Sequence, residues 1–160
     1  MERADRIRRH PKWREYMEQI RALERDRVFC GHGAAHCLDV ARLAYIEDLE
    51  RNLNIPVELI YAAALLHDIG RPLEYQRGIP HHQASAAAAE PILRDCGFSG
   101  EEQETILAAV LRHRTEETAL EDNLAGLLYR ADKASRDCLL CPAADACRWS
   151  PEKKNLTLMR

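Results

Sequence analysis

The sequence predicts an all-α protein of one domain. Apolar residues recur at helical spacing through most of the chain, and no segment shows the sustained apolar–polar alternation of a half-buried strand. A length of 160 residues suits a single domain. We therefore expect one domain over residues 1–160, with a bundle of about six helices whose core spans residues 28–137 and an irregular, cysteine-containing tail over residues 138–160.

The helices of this bundle are separated by glycine and proline. We place them at residues 12–27, 34–53, 56–69, 82–96, 100–113 and 117–137. Cys30-Gly31-His32-Gly33 forms a loop before the second helix, and Pro56 suits the first turn of the third. The third helix is almost wholly apolar, which is typical of a helix buried at the centre of a bundle. Gly70 and Pro72 end it, and residues 71–80 are expected to form a loop beside the functional site.

Composition excludes several classes of function. The chain is 46% hydrophobic and 31% charged, and it contains neither a run of about 20 apolar residues nor a signal peptide. We expect a cytoplasmic protein with no membrane partner. The net charge is −3, and basic residues are mixed with acidic ones outside an Arg-rich start, Arg3 to Arg14. A long nucleic acid is therefore not an expected partner. The sequence leaves the oligomeric state open, and a homodimer is allowed.

Ionisable residues stand where four helices should present apolar ones. His67, His113 and Asp132 each continue an apolar helical stripe, and His36 lies one turn before Val40. A single inward His is more often a hydrogen-bonded core residue. Buried charge is costly unless it is paired or bound to a cation, so four such residues on four helices together favour a metal site.

Three segments resemble one known family: His36-Cys-Leu-Asp-Val40-Ala, Leu65-Leu-His67-Asp68-Ile69-Gly70 and Asp132-Lys133. The order of H, HD and D resembles the signature of the HD-domain (HDIG motif) metal-dependent phosphohydrolase superfamily, over roughly residues 28–137. The resemblance implies an all-α fold and hydrolysis of a nucleotide or another small phosphate ester by metal-activated water. Two-metal members include enzymes that cleave symmetrical dinucleoside polyphosphates.

The resemblance also implies a ligand set. In the family, the four matching positions bind a divalent metal, and these positions are His36, His67, Asp68 and Asp132. Two-metal members add histidines between the HD pair and the last Asp, for which His81 and His113 are the candidates, with His82 a rival of His81. One or two ions are expected, and imidazole and carboxylate suit Fe, Mn, Co, Ni and Zn alike.

The implied catalytic residues surround those ligands. Asp68 would bridge two ions and hold the attacking water. Arg71, Lys133 and His32 are candidate contacts for the substrate phosphate. Two other functions stay open at this point: a regulatory protein that binds nucleotides or senses redox state without useful turnover, and a diiron oxygenase-type protein.

A cysteine cluster lies outside the family pattern. Cys138, Cys141 and Cys147 follow the core, and six cysteines without a secretion signal indicate reduced thiols, metal ligation or redox chemistry. Two thiolates at C-x-x-C spacing with a third nearby can enclose one soft ion. Cys30 is the candidate fourth ligand, ahead of Cys96 and Cys37. Structural zinc, an iron–sulfur cluster and unligated thiols are the alternatives.

Overall fold

The computed structural model describes residues 1–157, and in that range all regular structure is helical. The α-helices are α1 Glu2–Arg9, α2 Pro11–Leu23, α3 Ala34–Arg51, α4 Val57–Leu66, α5 Arg71–Arg77, α6 His81–Asp95, α7 Gly100–Arg112 and α8 Leu124–Ala134. Two short 3-10 helices cover Glu116–Leu120 and Pro151–Lys153. The predicted all-α class is confirmed. Residues 158–160 of the predicted tail lie outside the described residues.

Helix α4 is the centre of the bundle. It packs against α1, α3, α6, α7 and α8, and its residues 62–66 are fully buried. The indole nitrogen of Trp13, on α2, donates a hydrogen bond to the carbonyl oxygen of Leu65 at 2.8 Å. This contact gives the buried Trp13 nitrogen an acceptor and joins α2 to the centre. The turn at residues 67–70 follows directly on α4, so the packing of α4 holds the start of this turn in the core.

Two helices were not predicted. In α1 only Ala4 and Ile7 are buried. This apolar stripe is too short to be recognised among the surrounding arginines. Helix α5 occupies most of the segment expected as a loop at residues 71–80. Pro72 stands in its first turn, where proline favours a helix, and Gly78 ends it with φ of 70°. Helix α4 does end before Gly70 and Pro72, as predicted, but Pro72 also begins a new helix, which was not predicted.

The last long helix is shorter than predicted. Residues 117–137 were expected to form one helix, but the 3-10 helix ends at Leu120 and α8 begins only at Leu124. The side chain of Asn123 accepts a hydrogen bond from the backbone nitrogen of Gly126 at 3.1 Å and so caps α8. The short polar side chain of Asn is suited to this position, and it starts a new helix instead of continuing an old one.

The tail after α8 is irregular, as predicted, over the residues the structure describes. It is attached mainly through polar contacts: the Asn155 amide donates to the carbonyl oxygens of Lys133 at 2.7 Å and Arg136 at 2.8 Å, and Lys153 Nζ lies 3.2 Å from Glu116 Oε1. These bonds fold the tail back onto the end of α8.

Within residues 1–157, every helix is too short or too polar to cross a lipid bilayer.

An ion pair joins the first helix to the bundle. Arg3 Nε lies 2.7 Å from Glu58 Oε2, and Arg3 Nη1 lies 2.7 Å from Glu102 Oε2. Burial would raise the pKa of Glu58, but the hydrogen bonds from Arg3 lower it to about 2. We expect Glu58→Gln to lower the free energy of unfolding at pH 7 by about 1 kcal/mol, because the charged partner of Arg3 is lost.

The sign of the pH dependence follows from the lowered pKa. The stabilisation by ionised Glu58 is complete above the unfolded-state pKa of about 4.5 and is lost as the pH falls toward about 2. Urea unfolding of both proteins should therefore give a stability difference at pH 7 that shrinks below pH 4.5. Glu104→Gln, at an exposed position of α7, is the control. An equal effect of the two substitutions at every pH would contradict the role given to Glu58.

Candidate metal centre

Four helices and the turn after α4 bring six ionisable side chains together in the core. His36 lies in the first turn of α3, His81 begins α6, and His113 ends α7. His67 and Asp68 lie in the turn after α4, and Asp132 lies on α8. Their ligand atoms form two groups, in each of which all atoms lie within 4.8 Å of one another: His36, His67, Asp68 and Asp132, and Asp68, His81 and His113.

The first group joins α3, α4 and α8. The Nε2 atoms of His36 and His67 face each other at 3.3 Å. His67 Nε2 lies 3.1 Å from Asp68 Oδ2, and His36 Nε2 lies 3.3 Å from Asp132 Oδ1. Two imidazole nitrogens and two carboxylate oxygens therefore converge on one point.

The second group uses the other oxygen of Asp68. His81 Nε2 lies 3.1 Å from His113 Nε2 and 3.4 Å from Asp68 Oδ1. His113 Nε2 lies 4.0 Å from the same oxygen. Asp68 thus directs one carboxylate oxygen to each group, an arrangement that suits a carboxylate bridging two cations.

Each of the four histidines has its second ring nitrogen, Nδ1, beside an oxygen. The Nδ1 partners are Ser135 Oγ for His36 at 3.2 Å, the Ala64 carbonyl for His67 at 2.8 Å, Glu74 Oε2 for His81 at 2.8 Å, and the Val110 carbonyl for His113 at 2.6 Å. Carbonyl and carboxylate oxygens accept only, so they favour a proton on Nδ1. In a neutral ring Nε2 then carries the lone pair that can bind a metal ion.

One oxygen of Asp68 faces the Nε2 atoms of His36 and His67 but accepts no hydrogen bond among the described residues. Asp68 is fully buried, and this oxygen is Oδ2. An unpaired buried carboxylate oxygen is costly. A divalent cation between Oδ2 and the Nε2 atoms of His36 and His67 would satisfy all three atoms. The residues present therefore fit a divalent metal.

Electrostatics in the core keep the carboxylates ionised and two of the imidazoles uncharged. Burial would raise the pKa of Asp68, but the neighbouring His67 and Arg71 charges hold that pKa well below its usual range. Burial lowers the pKa of His113 to about 3 and, with the Arg71 charge, the pKa of His81 to about 4. At neutral pH both imidazoles are uncharged, as metal ligation requires. Burial would lower the pKa of His67, but the Asp68 and Asp132 charges raise it to about 9, so a metal ion that binds there must displace a proton.

Only one of the two adjacent histidines that the sequence left open lies beside the other candidate ligands. His81 is buried and belongs to the second group, whereas His82 is half-buried and belongs to neither group. His81 and Ser85 share one face of α6, and the Ser85 hydroxyl accepts a hydrogen bond from the backbone nitrogen of Gly70 at 2.8 Å. This face is therefore the one that packs against the turn carrying His67 and Asp68.

The basic residues predicted beside the ligands contact the ligand carboxylates. Arg71 Nε lies 2.9 Å from Asp68 Oδ1, and Lys133 Nζ lies 2.6 Å from Asp132 Oδ2. His32 has a structural contact: its Nδ1 lies 2.5 Å from Glu24 Oε1. All three basic residues nevertheless border the same cavity.

Three residues that contact the candidate ligands were not predicted from the sequence. Glu74 and Ser135 hold the Nδ1 atoms described above, and Arg136 Nη2 lies 3.1 Å from both Asp132 Oδ1 and His36 Nε2. Ser135 and Arg136 follow Asp132 by three and four residues, so helical spacing could have identified them. Glu74 was missed because its segment was expected to be a loop.

The ligands open into a cavity of about 1000 Å³ between α5, α7, α8 and the tail. Asp132, His81 and His113 form part of its wall. All four cysteines proposed to act together also border it: Cys30, Cys138, Cys141 and Cys147. Cys37 and Cys96 are buried and do not line this cavity.

The fold and the site together define a class: a helical bundle whose core carries a cluster of histidines and carboxylates suited to metal. The model of the HD domain family matches residues 33–137, and the chain belongs to this family. HD domains bind divalent metals, and the family is generally hydrolytic. The chain is also 42% identical over 143 residues to a protein of Clostridium beijerinckii described as uncharacterized, covering 89% of each chain. No solved structure matches.

The two groups predict two metal ions per chain. We expect equilibrium dialysis against Mn²⁺ to give two ions for the wild type and one for His113→Ala, which removes a ligand of the second group alone. The affinity of that group should fall by at least about 100-fold, since loss of residues that only orient ligands already costs about 10–100-fold. His82→Ala is the matched control and should keep both ions. If His113→Ala keeps both ions, the second group is not a metal site.

Proposed function

We propose that this protein is a metal-dependent phosphohydrolase that acts on a nucleotide or a similar small phosphate ester. The observation that carries the proposal is the placement of Asp68. Its two oxygens serve two histidine groups beside a cavity rich in basic side chains. Paired cations that share a carboxylate are suited to displacement at phosphorus.

The cavity suits an anionic substrate. Its basic side chains are Arg27, Arg71, Arg114, Lys133, Arg136, Arg148, Lys153 and Lys154. Guanidinium and ammonium groups bind phosphate oxygens through charge-assisted hydrogen bonds. They outnumber the acidic residues of the same wall, which are Glu74, Glu116, Asp132 and Glu152.

Aromatic side chains favour a nucleotide over a simple phosphate ester. Phe29, Tyr129 and Trp149 all border the cavity. Aromatic rings offer stacking surfaces to nucleobases. A volume of about 1000 Å³ also accommodates a nucleotide-sized molecule.

The proposed roles of the residues follow from their contacts. Divalent ions in such sites polarise phosphoryl oxygens and lower the pKa of water to about 7. Asp68 would orient the attacking water between the two groups, and Arg71, held against Asp68 at 2.9 Å, would keep that carboxylate ionised. Lys133 is partly exposed at the cavity wall, so its ammonium can turn from Asp132 toward a phosphoryl oxygen.

A substrate panel tests the proposal. Nucleoside mono-, di- and triphosphates, diadenosine tetraphosphate and p-nitrophenyl phosphate are assayed for phosphate or nucleotide release with Mn²⁺, Fe²⁺, Co²⁺, Ni²⁺ or Zn²⁺. We expect metal-dependent hydrolysis of at least one nucleotide, with a higher kcat/KM than for p-nitrophenyl phosphate. If nucleotides stabilise the protein against heat but are not hydrolysed, the protein is a nucleotide-binding regulatory protein and not a hydrolase. Dioxygen consumption without hydrolysis would point to an oxygenase.

A further inference from the structure

Four cysteines from two segments distant in sequence border one cavity. Cys30 comes from the loop before α3, and Cys138, Cys141 and Cys147 come from the tail after α8. All are free thiols and at least partly buried. Burial raises the pKa of the Cys30 thiol, and the neighbouring Cys141 and Cys138 raise it further. The loop and the tail thus bring together the number of thiolates that a metal centre uses.

The tail has few other means of holding its position. Cys138 and Ala143 are its buried apolar residues in the described part of the chain, while Leu139 and Leu140 are exposed. Its contacts with the bundle include the hydrogen bonds of Asn155 and the ion pair of Lys153 with Glu116 at 3.2 Å. A short segment without its own hydrophobic core is commonly held by metal ligation.

The spacing of the sulfur atoms favours a cluster over a single ion. Zinc bound tetrahedrally at about 2.3 Å places its sulfur ligands roughly 3.8 Å apart. Within residues 1–157, no three ligand atoms that include a cysteine sulfur lie within 4.8 Å of one another. A four-iron cluster places iron and sulfide between its four thiolates and so holds them farther apart.

The surrounding charge also suits such a cluster, which is anionic when four thiolates bind it. Arg27 Nε donates to the carbonyl oxygen of Cys30 at 2.9 Å, and Arg136 Nη1 donates to that of Gly31 at 2.9 Å. Arg148 borders the same cavity. The loop that carries Cys30 is thus hydrogen-bonded to Arg27, which precedes it in the chain, and to Arg136, which follows α8.

We propose that Cys30, Cys138, Cys141 and Cys147 bind a four-iron, four-sulfide cluster in the wall of the cavity that contains the histidine and aspartate groups. The cluster anchors the tail to the loop before α3. It also fixes Arg136, which contacts the Cys30 loop through one nitrogen and Asp132 and His36 through another. The second centre therefore shapes the active-site cavity without being part of the hydrolytic chemistry.

Metal and sulfide analysis tests this proposal without any turnover assay, so it is independent of the proposed hydrolase. Wild type, Cys30→Ser and Cys138→Ser/Cys141→Ser are purified anaerobically, reconstituted with Fe²⁺ and sulfide, and desalted. Iron, zinc and acid-labile sulfide are then measured per chain. Cys96→Ser, a buried cysteine outside the cavity, is the matched control, and circular dichroism shows whether each variant remains helical.

We expect about four sulfides per chain and broad visible absorption in the wild type and Cys96→Ser. Both should be lost from the other two variants while they remain helical. Sulfide is decisive because iron bound to histidine and aspartate carries none. Cys30→Ser that retains all sulfide overturns the four-cysteine site. Wild type that holds one zinc, or no metal at the cysteines, and takes up no sulfide overturns the cluster.

Discussion

Asp68→Ala is expected to lower the kcat/KM of metal-dependent phosphate release by at least about 10³-fold, since removal of a single stabilising group from an active site can already cost about 10²–10³-fold. The change removes the one carboxylate that serves both histidine groups. Asp68→Asn keeps the shape of the side chain but lacks its charge, and it should be similarly inactive. Phosphate release from the best nucleotide of the panel is the measurement.

The Asp68 variants should remain folded. The carboxylate is fully buried, and its desolvation offsets much of its attraction to Arg71, while Asp68→Asn keeps a polar group of the same shape beside Arg71. Asp39→Ala, an exposed position of α3 that pairs with Arg42 at 3.4 Å, is the control and should keep full activity. Full turnover by folded Asp68→Asn would exclude the active site described here.

Gly70→Ala is expected to destabilise the protein by about 3 kcal/mol, at the upper end of the usual cost of overpacking. A Cβ at this position would lie 2.6 Å from the carbonyl oxygen of His81 and closer still to the backbone nitrogen of Ser85. Backbone atoms cannot move aside as side chains do. The turn after α4 and helix α6 must therefore separate, with a fall in Tm of roughly 6–12 °C.

The same substitution should also weaken the second metal group, since α6 carries His81. Gly100→Ala is the matched control: a Cβ there meets no heavy atom within 4 Å, and the stability should change by less than about 0.5 kcal/mol. Thermal unfolding and Mn²⁺ dialysis measure the two effects. Equal stability of the two variants would show that the turn and α6 do not approach as closely as described.

Helical periodicity was enough to identify the core and the direction of its polar side chains. The apolar run of α4 indicated a central helix, and the stripes leading to His67, His113 and Asp132 indicated that these residues point inward. All three are buried. The same pattern did not place two helices correctly. Helix α1 buries too few residues to show an apolar stripe, and the start of α8 depends on the Asn123 cap.

The sequence by itself determined the helical class, the central helix and the chemical types of residue that face the core. The tertiary structure alone decided which of them meet: His81 instead of His82, the oxygens that hold each Nδ1, and the placement of four cysteines around the cavity that contains Asp68. The reason is physical. Periodicity reports which face of a helix is buried, whereas distances between side chains of different helices depend on how those helices and loops pack.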